Sequence, residues 1–198
     1  MIPKIIHLVA LPPMNMSAAD ETISRISISN PDYEIKVHTK PLSNFPFENM
    51  PISGPSGLCN LIRMDVLRRF GGWYFDLDVA VECKLEELEK KLGLGNNLGI
   101  SFLSKKNVCT FTSCCPSDWK GWNHLVPYIQ AHPSSNKGHY CSRVMGKLVR
   151  EKPYFCDRIP NDFLFSNRWL NHRPGSDDHR SEEHTSELQS LRHLVCRL

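Results

Sequence analysis

The sequence predicts an α/β domain, because short apolar runs alternate along the chain with segments of helical periodicity. The apolar runs lie between prolines or glycines and have the length and branched composition of buried strands. In the segments between them, apolar residues recur every three or four positions, as on one face of a helix. Strands and helices in this alternation build a sheet covered by helices. Ligands of such sheets bind outside the carboxyl ends of the strands.

Five strands are predicted. They are Lys4 to Ala10, Tyr33 to Val37, Trp73 to Val81, Leu98 to Leu103 and Val108 to Cys114. Prolines flank the first strand, and in the second Tyr33, Ile35 and Val37 alternate with polar neighbours. The third, Trp73 to Val81, is rich in aromatic and branched residues, which is typical of a central strand. The last two are continuous apolar runs.

Five helices are predicted between and after these strands. They are Ser17 to Asn30, Ser56 to Phe70, Leu85 to Leu92, Leu125 to Ala131 and Ser142 to Arg150. Ser17 can cap the first helix, and Pro31 stops it. Gly71-Gly72 ends the second helix, and Gly93 closes the third. Four prolines and a lack of periodicity predict a loop from Lys40 to Pro55.

The composition is that of an ordinary folded protein, with 40% hydrophobic and 23% charged residues. The net charge of +3 is small and dispersed, which argues against a nucleic-acid partner but suits an anionic small substrate. No apolar stretch approaches the roughly 20 residues of a membrane-spanning helix. The apolar start of the chain is interrupted by His7 and is predicted as a strand, not a signal peptide. We therefore expect a cytoplasmic protein, although a Golgi lumenal domain that had lost its anchor would show the same residues.

The eight cysteines are predicted to be mostly free, buried thiols. Their spacing lacks the paired C-x-x-C arrangement of structural zinc sites, and Cys114 and Cys115 are neighbours in sequence. Disulfides formed in a secretory compartment are the alternative.

The end of the chain, residues 176–198, is predicted not to be native. The run from Arg180 to Ser190, RSEEHTSELQS, resembles the conceptual translation of a common sequencing-adapter oligonucleotide. We therefore expect a folded domain over residues 1–175 that is truncated at its carboxyl end. A genuine polar helix is the alternative, because Leu188, Leu191 and Leu194 fall at helical spacing. From Pro153 up to this tail the pattern is mixed.

Two carboxylates, Asp76 and Asp78, stand out in the third predicted strand. In a continuous strand they lie on the same face as Tyr74, because side chains alternate between faces. Two carboxylates so close together are costly unless a cation or hydrogen-bond donors compensate. Mg²⁺ and Mn²⁺ prefer oxygen ligands and often combine one or two carboxylates with substrate phosphates. The pair therefore predicts a divalent-metal site that also binds a diphosphate.

The residues around this pair carry a family resemblance. The run from Leu58 to Val79, LCNLIRMDVLRRFGGWYFDLDV, resembles the signature of the DXD-containing sugar-binding glycosyltransferases. The opening IPKIIH and the later NPDYE are similar to the first two strands of the same family. The resemblance implies a GT-A type, Rossmann-like fold with a mixed sheet flanked by helices. It also implies a nucleoside-diphosphate sugar donor, a divalent metal (Mn²⁺ or Mg²⁺), a hydroxyl acceptor on a glycan, lipid or protein, and retention of configuration.

The resemblance also implies roles for individual residues. Asp78 matches the metal-coordinating carboxylate, and Asp76 matches the one that reaches the ribose or shares the ion. Arg63 matches a helix arginine near the donor, and Asn60 stands where an Asp is more usual. The predicted catalytic and metal-binding residues are Asp76 and Asp78. The predicted donor-binding residues are His7, Leu8, Val9, Asn60, Arg63, Tyr74 and Asp76, with the first three matching a base-binding edge through backbone groups.

Transfer of a hexose is therefore the leading hypothesis. A metal-dependent phosphodiesterase would also use paired carboxylates, but it normally has a denser acidic and histidine cluster. A truncated, non-catalytic domain that binds nucleotide sugars is the third hypothesis, and Asn60 favours it.

Simpler roles are open for several residues. Arg63 is alternatively the partner of an acid on a neighbouring element, and His7 a satisfied interior histidine. Asp65 is expected to form a surface pair with the arginines three and four residues later. Trp119 and Trp122 are expected to pack at the start of a helix, with sugar stacking as the alternative.

Overall fold

The computed structural model describes residues 1–12, 16–52, 54–77, 79–81, 83–102, 108–131, 140–151, 156–159 and 192–194. Within these ranges the helices are α1 (Met16–Ser29), α2 (Gly54–Phe70), α3 (Leu85–Leu92), α4 (Trp122–Ala131) and α5 (Tyr140–Glu151). The strands are β1 (Ile5–Val9), β2 (Glu34–His38), β3 (Gly72–Phe75), β4 (Val79–Val81), β5 (Leu98–Phe102), β6 (Val108–Cys115), β7 (Cys156–Ile159) and β8 (Arg192–Leu194). The five predicted helices are confirmed, while β7 and β8 have no counterpart among the predicted strands.

Six of the strands form one mixed sheet in the order β2-β1-β3-β6-β5-β7. Strand β1 is parallel to both β2 and β3, and β3 is antiparallel to β6. The carboxyl ends of β1, β2 and β3 therefore lie at one edge of the sheet. Helices α2, α4 and α5 contribute to one apolar core cluster, and α1 and α3 contribute to a second. The predicted mixed sheet flanked by helices is confirmed.

The prediction of one continuous strand from Trp73 to Val81 is wrong. Strand β3 ends at Phe75, and β4 begins at Val79 in a separate two-stranded sheet with β8. A turn divides the two strands, because the N–H of Val79 donates to the carbonyl of Asp76 at 3.0 Å. The sequence conceals this turn because Leu77 and Val79 continue the apolar pattern of the strand, and both pack in the core cluster that contains Phe75.

The alternation of side chains within β3 itself is confirmed. Tyr74 packs in the core cluster that contains α2, whereas Trp73 and Phe75 pack in the cluster that contains α1 and α3. This alternation turns the hydroxyl of Tyr74 toward α2.

Gly71 and Gly72 join α2 directly to β3. Their φ angles are 63° and 88°, in the left-handed region that favours glycine. A Cβ on Gly71 would lie 2.6 Å from the backbone nitrogen of Ser117 and 2.7 Å from the carbonyl oxygen of Cys115. A Cβ on Gly72 would overlap the carbonyl oxygen of Ile5. The turn thus requires glycine twice, and it brings β3 beside β1 immediately after the helix.

The cysteines are of two kinds in the described residues. Cys59, Cys114, Cys115 and Cys156 are free, as predicted for most of the thiols. Cys83 is disulfide-bonded, which corresponds to the alternative.

Little of the predicted tail is described. Residues 192–194 form β8, which pairs in parallel with β4. The other residues from 176 to 198 lie outside the described ranges, so the non-native origin of the tail stays a prediction. None of the helices in the described ranges is long and apolar enough to cross a membrane.

Candidate active site

The strand order predicts a crevice between the carboxyl ends of β1 and β3, at the topological switch point of the sheet. The chain leaves β1 for β2 on one side and returns to β3 on the other side. Open α/β sheets bind ligands at such a switch point, because the connections diverge there and leave a gap. Asp76 follows β3 directly, so its carboxylate lies at this edge.

Three side chains meet at the edge. The Nη2 atom of Arg63 lies 2.5 Å from Oδ1 of Asp76 and 3.3 Å from the hydroxyl oxygen of Tyr74. The Tyr74 hydroxyl in turn donates to Oδ1 of Asp76 at 2.7 Å. The guanidinium carbon of Arg63 also stacks 4.4 Å from the centroid of the Tyr74 ring. We call these three residues the Asp76 clamp.

Burial differs sharply within the Asp76 clamp. The side chain of Arg63 is 5% exposed, whereas that of Asp76 is 33% exposed. A buried guanidinium needs an opposite charge and hydrogen-bond acceptors, and Asp76 and Tyr74 supply them. Both contacts to Asp76 end on Oδ1, and no hydrogen bond from the described residues reaches Oδ2. The clamp therefore fixes one oxygen and leaves the other for a ligand.

Tyr74 acts in the clamp as a neutral donor. Burial holds the pKa of its phenol well above the usual range, and the nearby Asp76 carboxylate raises that pKa further, although Arg63 opposes both effects. The hydroxyl consequently keeps its proton at any physiological pH and can donate it to Oδ1.

The position of Arg63 follows from the helix–turn–strand order. From Arg63 to the end of α2 the chain advances about 10 Å along the helix axis. The glycine turn then sends β3 back beside the helix, so that Asp76 returns to the level of Arg63. The sequence left two interpretations of Arg63, a residue near the donor or the partner of an acid on a neighbouring element. The structure pairs Arg63 with Asp76, which is itself a predicted donor-binding residue, so the two interpretations do not exclude each other.

Asn60 and Cys59 precede Arg63 on the same helix. Asn60 lies one turn earlier and is buried. Cys59 is a half-buried thiol whose pKa is raised by burial, with Arg63 lowering it and Asp76 raising it. The charges of Arg63 and Asp76 thus affect the pKa of a thiol one turn earlier in the helix. An Asp in place of Asn60 would add a second negative charge to the same region.

His7 is a satisfied interior histidine. Its imidazole is fully buried, with Nδ1 3.0 Å from Nε2 of His38 and Nε2 3.0 Å from the carbonyl oxygen of Gly71. Because a carbonyl only accepts, Nε2 of His7 carries the hydrogen, and His38 must donate to Nδ1. The imidazole is therefore engaged in the interior, which leaves only backbone groups of His7 for a ligand.

Leu8 and Val9 border the crevice more closely than His7 does. The register between β1 and β3 ends at His7, while β1 remains paired with β2 through Val9. The side chains of Leu8 and Val9 are buried, so a ligand at this edge would meet their backbone. A role for these residues in binding a base stays a prediction.

A cavity of about 430 Å³ continues this edge. Its walls come from the segments after β1 and β2 and from the first turns of α2. They include Leu11, Pro12, Thr39, Lys40, Pro41 and Leu58. Because Leu58 adjoins Cys59 in α2, the helix connects the cavity to the Asp76 clamp.

Asp78 lies outside the described residues, so Asp76 is the member of the predicted pair whose position is described. Within the described ranges, no three His, Cys, Asp or Glu side chains form a cluster that could hold a metal. The turn at Asp76 also removes the strand-face argument for the pair, since β3 ends before either carboxylate.

The surface position predicted for Asp65 is wrong, although its pairing is confirmed. The side chain is 1% exposed, and its Oδ1 accepts from Arg68 at 2.7 Å and from Arg69 at 3.0 Å. Helix α2 is buried on all sides from Asn60 to Leu67, so Asp65 has no solvent-facing side available.

The aromatic pair before α4 packs in the core, as predicted. Trp119 and Trp122 are buried, and their rings meet edge to face with centroids 5.0 Å apart. Neither ring offers an open face for sugar stacking.

The fold is similar to that of solved glycosyltransferases. The galactosyltransferase LgtC, in complex with donor and acceptor sugar analogs, aligns with a TM-score of 0.57 at 14% identity, over 98% of this chain and 87% of that one. A glycosyltransferase involved in the glycosylation of the major capsid of PBCV-1 gives a TM-score of 0.51 at 14% identity, over 82% and 84% of the two chains. The PaToxG glycosyltransferase gives 0.50 at 15% identity, over 77% and 70%. By sequence, neither a family model nor a curated protein matches this chain.

These likenesses show the fold. At identities of 12% to 15% the sequences have diverged widely, but the order of strands and helices is shared. The chain has the GT-A type fold that the resemblance implied, and Asp76 lies at the edge of the sheet where such α/β folds bind ligands.

Proposed function

We propose that this chain is a metal-dependent glycosyltransferase that moves a hexose from a nucleoside-diphosphate sugar to a hydroxyl acceptor, with retention of configuration. The observation that carries the proposal is the Asp76 clamp, which holds a partly exposed carboxylate at the switch point of a GT-A fold. The similarity to LgtC, solved with donor and acceptor sugar analogs, supports the same chemistry.

The spacing between cavity and carboxylate supports a nucleotide donor. Neighbouring strands lie about 4.8 Å apart, so the segment after β2 is about 10 Å from the segment after β3. That span is comparable with the distance from the base to the second phosphate of a nucleoside diphosphate. A base in the cavity would therefore direct its diphosphate toward Asp76.

Asp76 and Asp78 are the residues that would hold the metal. Mg²⁺ and Mn²⁺ require few protein carboxylates when a diphosphate completes the coordination, and Oδ2 of Asp76, which no hydrogen bond from the described residues reaches, suits them. Such an ion would neutralise the charge that develops on the departing diphosphate.

The other residues of the clamp serve positioning. Arg63 and Tyr74 hold Oδ1 of Asp76 before any ligand arrives, so no reorganisation is needed when the donor binds. Their burial excludes water from that side of the carboxylate. The acceptor is the hydroxyl of a glycan, lipid or protein, and a cytoplasmic site of action remains our expectation.

The non-catalytic domain remains a second candidate because of Asn60. Its amide lies buried one turn before Arg63, where the resembling family more often has an Asp. A neutral residue there would still permit binding while removing a contact to the donor. Binding and turnover must consequently be measured separately.

A panel of UDP and GDP sugars tests the proposal. With Mn²⁺ present, a matching donor should raise the melting temperature, since ligands of the native state stabilise it. Slow hydrolysis of that donor should release a nucleoside diphosphate and a sugar of unchanged anomeric configuration. A non-catalytic domain would bind without releasing product, and a phosphodiesterase would release a nucleoside monophosphate and a sugar phosphate.

Asp78→Asn provides the matched variant. It preserves the shape of the side chain and removes one charge. The binding constant for the donor and the turnover rate should therefore each fall by about two orders of magnitude, and the shift in melting temperature on donor binding should shrink. Asp32→Asn is the control, because Asp32 is exposed and precedes β2 at the opposite edge of the sheet. Full metal-dependent activity of the Asp78 variant would refute the proposed site.

A further inference from the structure

Two buried polar side chains, one in α1 and one directly after it, hold the same segment of the chain. Thr22 lies within the helix, and Asn30 follows its last residue. The hydroxyl of Thr22 donates to the carbonyl of Leu77 at 2.7 Å. The side-chain amide of Asn30 donates to the carbonyl of Cys83 at 3.0 Å and accepts from the N–H of Leu85 at 2.8 Å. The segment that begins at Leu77 and leads to α3 is therefore fastened to α1 at both of its ends.

The hydrogen bond of Thr22 is not the one that a threonine usually makes in a helix. Such a hydroxyl commonly donates to the carbonyl four residues earlier in its own helix. A hydroxyl has one hydrogen to donate, and Thr22 donates it across the core to Leu77, 55 residues later. The bond thus links α1 to the turn after β3.

This turn is held at two successive carbonyls. The carbonyl of Asp76 accepts from the N–H of Val79 at 3.0 Å, and the carbonyl of Leu77 accepts from Thr22. Because a peptide unit is planar, a carbonyl oxygen that is held restrains the orientation of the whole unit. The two units restrained in this way are the ones that join Asp76 to Asp78 along the chain.

We propose that Thr22 is a positioning residue for the metal site, which acts by holding the Leu77 carbonyl and so the backbone between the two predicted metal-binding carboxylates. The inference rests on the proposed metal-dependent transfer. The Asp76 clamp holds one carboxylate from the side of α2, and Thr22 holds the backbone from the side of α1. Mg²⁺ demands near-ideal geometry of its ligands, so a turn that is free to shift costs metal affinity.

The first test needs no metal. Thr22→Val removes the hydroxyl and nearly keeps the shape of the side chain, so the turn should open more often. Exchange of the Val79 amide hydrogen, followed by NMR on the full chain and compared with the amides of β1, should become about tenfold faster. Thr112→Val is the matched control and should change this exchange less than about twofold. Thr112 is also fully buried and pairs with Phe75, but its hydroxyl has no hydrogen-bond partner among the described residues.

The second test measures the affinity for Mn²⁺ by calorimetric titration. The chain is saturated with UDP or GDP, whichever stabilises the original protein, at a temperature where every variant is folded. Thr22→Val should weaken Mn²⁺ binding about tenfold, and Thr112→Val should not weaken it. Thr22→Ser keeps the donor and loses a methyl group, so its melting temperature should fall while its Mn²⁺ affinity stays within about twofold of the original. In the Asp78→Asn background, Thr22→Val should cause little further loss, because two residues that act through one ligand are not additive.

The outcomes separate this inference from the proposed function. Unchanged exchange of the Val79 amide in Thr22→Val would show that the hydroxyl does not hold the turn. Faster exchange with unchanged Mn²⁺ affinity would show that Thr22 contributes to stability alone. Either result overturns the inference and leaves the proposed function standing. If the original chain shows no Mn²⁺-dependent binding of either nucleotide, the proposed function fails, and the positioning role fails with it.

Discussion

Helix α2 carries two acid–arginine groups that differ in almost everything except their chemistry. Arg63 pairs with Asp76, which lies on another element and is 33% exposed. Two residues further along, Asp65 is 1% exposed and is shared by Arg68 and Arg69 of the same helix. In the first group the arginine is buried and the acid reaches the crevice. In the second group the acid is buried and the arginines are partly exposed, at 33% and 22%.

The difference indicates what makes a charged group a candidate for function. Asp65 accepts hydrogen bonds from both arginines, and Arg69 continues to the carbonyl of Asn44, so this group fastens a loop to the helix. Asp76 is held through one oxygen only, and its other oxygen has no hydrogen bond from the described residues. The hydrogen bonds of Asp65 also end on one oxygen, so what separates the two acids is exposure: the carboxylate of Asp65 is buried, whereas that of Asp76 is partly exposed and can meet a ligand.

The largest effect should come from Asp76→Asn. Donor binding and turnover should fall about a hundredfold or more, because the charge at the switch point is lost. The melting temperature should fall as well, since Arg63 would lose its buried counterion. Calorimetric titration with a nucleoside diphosphate and Mn²⁺, at a temperature where the variant is fully folded, measures the first effect. Unchanged binding would place Asp76 with Asp65 among the structural acids.

Asp65→Asn should give the opposite result. The free energy of unfolding should decrease by about 2 kcal/mol, because hydrogen bonds to a charged, buried acceptor are weakened. Nucleotide affinity measured on the folded protein should stay within about twofold of the original, since Asp65 does not reach the crevice. Urea unfolding and titration of the same preparation provide both values. A hundredfold loss of affinity would contradict the distinction between the two groups.

The His7–His38 pair extends the comparison to a neutral buried group. Burial, with additional effects of His38 and Lys36, lowers the pKa of His7 from 6.5 to about 4, although the hydrogen bond to Gly71 opposes the shift. Between these values the unfolded chain binds a proton that the folded protein does not. Stability should therefore decrease as the pH falls through this window, by about 2 kcal/mol from pH 7 to pH 5.

Urea unfolding at several pH values measures this decrease. The burial-lowered pKa of His38 acts in the same direction. In His7→Gln the profile between pH 7 and pH 5 should be flatter, because one titrating group is gone. An equally steep profile in that variant would assign the acid sensitivity to other residues.

The smallest effect is expected from the end of the chain. Deleting residues 180–198 should leave the melting temperature and nucleotide binding unchanged within error, because a foreign segment has no evolved packing partner. Strand β8, which pairs with β4, makes this a demanding test. A decrease of several degrees on deletion would show that the segment belongs to the fold.

The sequence predicted most of the elements that build the site. Helix α2 and the glycine turn after it were recognisable from the spacing of Leu58, Ile62 and Val66 and from the paired glycines. The functional importance of Asp76 and Arg63 could be proposed from their motif, and the structure brings the two side chains together. Such features are local, so the sequence nearby records them.

The features that the sequence did not reveal depend on tertiary contacts. The turn at Asp76 was concealed because both sides of it are apolar and buried in one cluster. The burial of Asp65 could not be predicted from one helix face, because other elements cover α2 on every side. The contact of Tyr74 with Arg63 arises only after the chain folds back, and no pattern of spacing in a helix or a strand encodes it.

The glycine turn after α2 also sets how the site tolerates changes of chain length. Side chains in a strand alternate with a period of two, so one residue inserted between Phe70 and Trp73 would exchange the two faces of β3. Tyr74 would then turn away from Arg63 into the opposite core cluster, and an indole would occupy its place. Substitutions elsewhere in β3 alter one contact at a time, whereas a single insertion or deletion here would dismantle the whole Asp76 clamp while leaving every one of its residues in the sequence.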